Sequence, residues 1–282
     1  MGAVFAVVVV GGGTVACGGG SAGADRAEVT PAAAVAEAAR HSEGTSSLRY
    51  RVTGTLPEKG RVEAEASMST EPSVMGMRMT TAEGGEKRRL EIRFVDDVMY
   101  VGGSALASEK LDGKGWFRAE PSAWGRGSWD NNSYGVLPNQ LEGNPAVQST
   151  LLTGSKDLRT AGTETVEGTG TTHYRGTVTS GGLRAARDAA ADPATRRHRI
   201  DSLDQFIALH IDGALTMDLW VDDDNRTKRF RVRGDIKDPR GRAAGERLDL
   251  TVTFLDVDRP VSVEAPPAED TADIAALTDG TP

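Results

Sequence analysis

Alternation with a period of two runs through most of the chain and sorts it into strands with one apolar and one polar face. Leu48, Tyr50 and Val52 alternate with Arg49, Arg51 and Thr53. Val62, Ala64, Ala66 and Met68 alternate with Arg61, Glu63, Glu65 and Ser67. Met75, Met77 and Met79 flank Gly76 and Arg78, and Leu90, Ile92 and Phe94 flank Glu91 and Arg93. The intervening turns, Pro57-Glu58-Lys59-Gly60, Glu71-Pro72-Ser73 and Gly84-Gly85, are hairpin turns, so these strands are antiparallel. Val98–Val101 follows Asp96-Asp97 as another strand, and residues 102–135 are less regular. Alternation resumes at Thr163–Glu167 and Thr171–Thr179. It continues in Leu215, Met217, Leu219 and Val221, with Trp220 on the opposite face, then in Phe230 and Val232. Leu248, Leu250, Val252 and Phe254 close the series.

Three dipeptides announce helices. Thr30-Pro31, Asn144-Pro145 and Asp192-Pro193 each offer an N-cap oxygen followed by a proline at the first helical position, where no backbone N–H is needed. The first predicts a helix through His41 that Gly44 stops, and the second a short helix over Ala146–Thr153. The third predicts a long helix over 193–212, with Ile200, Leu203, Phe206, Ile207 and His210 at helical spacing. Gly181-Gly182 opens an Ala/Arg-rich stretch to Ala191. Sheet and helices are partly segregated along the chain, so the class is α+β. One face of a large antiparallel sheet is expected to be covered and the other wet, with the 193–212 helix as the cover.

Composition narrows the function more than it names it. The 282 residues are enough for a sizeable core. The 33 Lys+Arg against 41 Asp+Glu leave a net charge of −8, and the basic residues are interleaved with acids, which argues against nucleic acid as a partner. A single cysteine excludes a disulfide scaffold and a thiolate zinc site. His41, His173, His198 and His210 lack metal-ligand spacing; His41 and His198 read as exposed, and His210 as capping a helix end. Asp222-Asp223-Asp224-Asn225 lacks the glycine and glutamate of a calcium loop and reads as a hairpin turn. The nucleophile elbow, the Walker loop, the dinucleotide fingerprint and the zincin motif are all missing. The reading is therefore non-enzymatic, with no catalytic residue, cofactor or metal assigned. The arginine rows Arg49/Arg51 and Arg229/Arg231/Arg233 read as a solvated face balanced by cross-strand acids.

The N-terminal residues 1–16 carry no charge, and Val4–Val10 is too short an apolar run to span a bilayer. It fits the core of a secretory signal. Cys17 follows a small residue and heads a Gly/Ser/Ala tether, an arrangement that resembles a bacterial lipoprotein signal in which the cysteine becomes the lipid anchor. Thr14, three before the cysteine, stands where such signals usually have leucine, and no basic residue precedes the apolar run. The organisation expected is a signal over 1–16, a flexible tether over 17–30, one domain over 31–268 and a frayed tail over 269–282. The domain would sit on the outer face of the cell membrane, held by Cys17.

Several segments together resemble the actinobacterial LppX/LprG-type lipid-carrier lipoproteins, relatives in architecture of LolA-type carriers. They are Arg93-Phe94-Val95-Asp96-Asp97-Val98-Met99-Tyr100-Val101, Gly115-Trp116-Phe117-Arg118, Gly162–Gly168 with His173-Tyr174, Leu219-Trp220-Val221-Asp222 and Val261–Pro267. The resemblance implies a strongly curved sheet, an incomplete barrel, with helices on its concave face and a hydrophobic cavity between them. It implies a lipid or other apolar ligand as partner, carried without chemistry. On the sheet, the candidate cavity residues are Met68, Met75, Met77, Met79 and Phe94 in the first half. In the second half they are Leu215, Met217, Leu219, Leu250, Val252 and Phe254. Leu151, Leu203, Phe206 and Ile207 are the candidates on the helices. Two alternatives stay open. The methionines equally suit an ordinary core, which would make the protein a surface-anchored interaction or sensor module. The Trp-rich stretch 116–129 is either a cavity mouth or a loop pinned by its aromatics.

Overall fold

The computed structural model describes residues 29–57, 59–83, 85–104, 106, 111–119, 139–142, 144–236 and 247–273. The segment 1–28 with Cys17, the tryptophans Trp124 and Trp129, and residues 274–282 lie outside them. All three N-cap–proline signals start helices. Thr30 Oγ1 accepts from Ala33 N at 3.2 Å ahead of α1 (Pro31–Glu43). Asn144 Oδ1 accepts from Ala146 N at 2.9 Å ahead of α3 (Pro145–Ser149), which runs into a 3₁₀ turn over Thr150–Gly154. Asp192 Oδ1 accepts from Thr195 N at 2.9 Å ahead of α5 (Pro193–Ala208). Two further helices are α2 (Asn139–Glu142) and α4 (Ser180–Asp188). The last predicted helix is shorter than 193–212: Leu209 caps it and His210 turns left-handed at φ 54°, which ends helical hydrogen bonding before Gly213 is reached.

The strands are β1 (Ser47–Leu56), β2 (Gly60–Thr70), β3 (Ser73–Glu83), β4 (Glu86–Val95), β5 (Val98–Gly102) and β6 (Trp116–Ala119). They continue with β7 (Arg159–Val166), β8 (Thr169–Thr179), β9 (Ala214–Asp222), β10 (Thr227–Asp235), β11 (Arg247–Val257) and β12 (Thr271–Asp273). All belong to one 12-stranded sheet in the order β12-β6-β5-β4-β3-β2-β1-β11-β10-β9-β8-β7. The sheet stays open, with β12 and β7 at its two edges, so it is an incomplete barrel. Two antiparallel runs, β1 to β6 and β7 to β11, join where β1 pairs β11. The registers follow the alternation: Met68 opposes Met75, which opposes Phe94, and Met217 opposes Val232, which opposes Leu250.

One face carries the apolar rows and the helices, and the other the charged rows. The cover differs from expectation in one respect. The helices resting on the sheet are α1 and the 3₁₀ turn over Thr150–Gly154, joined by α4 at β8. Helix α5 packs chiefly on α3, α4 and that turn, as an outer layer. Its buried apolar side chains, Leu203 and Phe206, still reach the common core.

The polar face is not uniformly wet. Four strand spacings separate β8 from β1, about 19 Å in a flat sheet. Yet Glu167, in the β7–β8 turn, lies 3.5 Å from Arg51 on β1. The sheet therefore curls over at this corner. A second cover comes from the C-terminal chain, which crosses the polar face after β11. Val263 sits 3.5 Å from where a Cβ on Gly76 would be, and Arg93 donates to the Glu264 carbonyl at 3.1 Å. The chain then forms a 3₁₀ turn over Ala268–Asp270 and adds β12 parallel to β6. Among the described residues the sheet thus has one parallel pair, and the tail expected to fray from 269 is structured as far as Asp273, because its carboxylates find Gly115 and Arg118.

Candidate functional site

The expected cavity residues gather in one continuous apolar cluster. Met68, Met77, Met79, Phe94, Leu215, Met217, Leu219, Leu250, Val252 and Phe254 contribute from the sheet, and Leu151, Leu203 and Phe206 from the helix layer. All of them are buried; Met77 is 2 % exposed. Met75 packs on the margin of the cluster, partly buried. Ile207 does not join it: the residue is 54 % exposed, and Ile200, one heptad earlier, is 41 % exposed. Helical spacing alone could not separate them from Leu203 and Phe206, because α5 turns its Leu203/Phe206 side inward and its Ile200/Ile207 side outward.

The cluster opens at one end. A crevice of about 410 Å³ lies between the C-terminal end of α1, the β9–β10 turn and the end of β11. Its apolar lining is Leu48, Ala146, Phe254 and Val257. The first three belong to the core, and Val257 packs against it. Of the predicted residues only Phe254 reaches the crevice. The others here, His41, Ser42, Thr45, Asp224, Arg226, Thr227 and Asp258, come from segments far apart in sequence.

The β9–β10 turn is held firmly against α1. Asp222 Oδ1 accepts from Asp224 N at 3.1 Å and from Arg226 N at 2.8 Å. Asn225 takes a left-handed conformation at φ 58°, and its carbonyl accepts from His41 Nδ1 at 2.9 Å. The acidic turn is therefore a hairpin, as its composition implied, and its first aspartate is a structural ligand of the backbone. No cluster of His, Cys, Asp and Glu able to hold a metal occurs among the described residues. Behind the turn a row of buried hydroxyls links sheet to helices: Thr227 Oγ1 to Ser42 Oγ at 3.4 Å, then Ser42 Oγ to Ser149 Oγ at 3.0 Å. On the opposite wall Asp258 accepts from Ser46 N at 3.2 Å.

A larger furrow of about 830 Å³ runs over the polar face, between the strap at 262–264 and β1–β4. Its charges already satisfy one another: Arg51 with Glu65 at 3.3 Å, Arg93 with Glu91 at 2.9 Å, and Arg78 with Glu91 at 3.6 Å. Ala64, Ala66 and Met77 of the core also touch it, but most of its lining is charged or polar, so the smaller crevice is the better candidate for an apolar guest.

A third feature was not legible in sequence. Asp218, on the polar face of β9, is 1 % exposed. It accepts from Arg175 at 2.6 Å and Arg233 at 2.6 Å, and lies 2.7 Å from His173 Nε2. His173 stacks on Trp220 with ring centroids 4.3 Å apart, and Arg229 lies over the same indole at 5.6 Å. Burial pushes the Asp218 carboxyl up, but hydrogen bonds from Arg175, His173 and Arg233 outweigh it and hold the group below the usual carboxylate range. The arginine row here is matched by acids at two positions, Arg231 pairing Asp249 at 2.6 Å and Arg233 pairing Asp218, whereas Arg229 donates to Thr253 Oγ1 at 3.3 Å. Asp218 and His173 are held by charged partners inside a closed corner, which makes them structural. Trp116, the described member of the Trp-rich stretch, is pinned on the polar face over Gly102 with Arg93 4.6 Å from its ring.

Comparisons with known proteins find distant sequence relatives and structural neighbours. No family model matches it. It is 27% identical over 246 residues, 82% of this chain and 70% of the other, to a Streptomyces coelicolor protein named as a candidate lipoprotein. It is 24% identical over 265 residues, 89% of this chain and 81% of the other, to an uncharacterized 31.2 kDa Streptomyces griseus protein of the rplA–rplJ intergenic region. Among solved structures it resembles LprF from Mycobacterium bovis, at TM-score 0.47 and 13% identity over 84% of this chain and 96% of that one. It also resembles the Mycobacterium tuberculosis lipoprotein LppX, at TM-score 0.46 and 15% identity over 83% of this chain and 98% of that one. Likeness at this level transfers neither ligand nor partner.

Proposed function

We propose that this protein is an extracytoplasmic lipoprotein, anchored through Cys17, that holds a lipid or other apolar molecule between its sheet and its helix layer. The observation that carries the reading is the 410 Å³ crevice whose lining passes from an exposed polar rim to Leu48 and Phe254 of the core. That volume lies within the usual range of small-molecule sites, about 300–1,000 Å³, and an apolar lining with a few polar groups is their usual chemistry. Binding and release would need the crevice to widen, with α1 and the β9–β10 turn separating at the His41–Asn225 hydrogen bond. No bond is made or broken, so transport requires no catalytic group.

The test is uptake of a fluorescent fatty-acyl probe by the purified chain. Saturable binding is expected. Thr45→Trp, which places an indole at the half-buried rim, should reduce uptake at least about tenfold, as filling a preformed site does, with an unchanged thermal midpoint. Failure of the chain to take up the probe would reject the carrier reading. A second reading, a surface-anchored interaction module, is favoured by the complete burial of Met77, Met217 and Leu219 in a continuous core. In such a filled core Met77→Ala should cost about 2–5 kcal/mol without altering any uptake.

A further inference from the structure

We infer that the crevice selects an amphiphile whose headgroup carries both charges, a phosphate beside an ammonium, as in a phosphoethanolamine lipid. The inference rests on the carrier reading above and specifies its ligand class.

Four ionisable side chains line the crevice: His41, Arg226, Asp224 and Asp258. Two of them are already engaged. His41 donates to the Asn225 carbonyl at 2.9 Å and sits 3.8 Å from Glu37, and Asp258 accepts from Ser46 N at 3.2 Å. The other two are not: the guanidinium of Arg226 and the carboxylate of Asp224 have no hydrogen-bond or ion-pair partner among the described residues, although they stand two positions apart in one turn. The polar face treats its arginines differently, pairing Arg231 with Asp249 and both Arg175 and Arg233 with Asp218. An unpaired cation and an unpaired anion, both presented at the lip of a crevice by a turn that Asp222 and His41 hold in place, form a bipolar receptor.

The rest of the crevice fits the remainder of such a molecule. Rim residues Asp224, Arg226, His41 and Asp258 are exposed, whereas Ser42 and Thr227 are buried. Their hydroxyls can donate to ester oxygens. Leu48, Phe254 and Val257 offer apolar surface to the start of an acyl chain. Passing inward, charge gives way to neutral polar groups and then to hydrocarbon, the order met along a glycerophospholipid. A purely anionic headgroup would satisfy Arg226 but face Asp224 and Asp258, and a cationic one would face Arg226. Discrimination therefore comes from repulsion as much as from attraction.

The experiment uses the full chain carrying Cys17→Ser, so that no covalent lipid competes. Four fluorescent lipids with identical acyl chains and different heads are titrated: phosphoethanolamine, phosphoglycerol, trimethylammonium and uncharged diacylglycerol. Chainless glycerophosphoethanolamine is titrated separately by NMR. The phosphoethanolamine lipid is expected to bind at least about tenfold more tightly than the other two charged lipids. Arg226→Gln and Asp224→Asn should each remove about fivefold or more of that preference, leaving diacylglycerol binding unchanged. Both residues lie on an exposed turn, and thermal midpoints verify the fold. Arg61→Gln, on a remote exposed site, should change nothing. Equal affinity for all heads with uptake intact overturns the headgroup assignment and leaves the carrier reading standing. Glycerophosphoethanolamine binding that is lost in Arg226→Gln, with no lipid taken up, supports the headgroup site and overturns the carrier reading. Neither lipid nor headgroup binding overturns both.

Discussion

At the scale of single residues, the corner around Asp218 shows how neighbours convert a polar position into a buried one. In sequence, Asp218 and His173 belong to strand faces that read as wet. In the sheet, His173 opposes Trp220, and Arg175 opposes Asp218, so the pairs meet side by side. Burying a carboxylate is costly unless it is paired and hydrogen-bonded, and here Arg175, Arg233 and His173 do both. Asp218→Ala would leave two arginines facing a gap. We expect a loss of about 3 kcal/mol in urea unfolding, at the low end for a broken buried pair because Arg175 and Arg233 can turn toward water. The sign of the pH dependence follows from the depressed pKa of the folded state. The stabilisation is fully present above the unfolded carboxylate value of about 4 and is lost as pH falls through the folded one. Asp157, held at about 2 by the Thr177 backbone and the Ser155 and Thr177 hydroxyls, acts in the same direction. Urea midpoints measured from pH 6 to pH 2 should therefore fall on the acid side, with a flatter profile in Asp218→Asn; an identical profile in the variant would disprove the assignment.

Among the elements, the C-terminal strap is the one whose role depends least on its own sequence. It has little apolar periodicity and a proline pair, Pro266-Pro267, so it reads as an end. Its position comes from scattered tethers: Ser47 to the Arg259 carbonyl at 2.8 Å, Lys114 to the Thr271 carbonyl at 3.0 Å, and Arg118 to Asp273 at 2.7 Å. Through β12 it covers the free edge of β6, and an uncovered edge strand is a template for pairing with another chain. Truncation after Asp258 should lower the thermal midpoint by several degrees, since a loss of about 1 kcal/mol shifts a domain of this size by about 2–4 °C. It should also produce concentration-dependent association in light scattering. A truncated chain that melts and scatters like the intact one would show that the strap is dispensable. The helices behave oppositely. Their starts are written locally in Thr30-Pro31, Asn144-Pro145 and Asp192-Pro193, because a cap needs only an oxygen two or three residues from the N–H it satisfies.

For the whole molecule, the outstanding question is where it resides. No helix among the described residues is long and apolar enough to cross a membrane. Attachment on our reading rests on Cys17, since each buried CH₂ of a lipid chain contributes about 0.8 kcal/mol. Cys17→Ala is expected to move the protein from the membrane fraction to the medium; retention of the variant in the membrane would refute the anchor. What the sequence by itself determined is local: strands, hairpin turns, helix starts and the composition of each face, since alternation and capping involve residues a few positions apart. Leu203 and Phe206 were legible as core for that reason. Their neighbour Ile207 was misread, because the direction a helix faces depends on what it packs against. The tertiary structure alone decided that α5 forms an outer layer, that the polar face curls over Asp218, that the chain end adds a parallel strand, and that His41 meets Asn225 across 184 positions to shape the crevice. Each of these joins segments distant in sequence, and their pairing energy appears only once the sheet has brought them together.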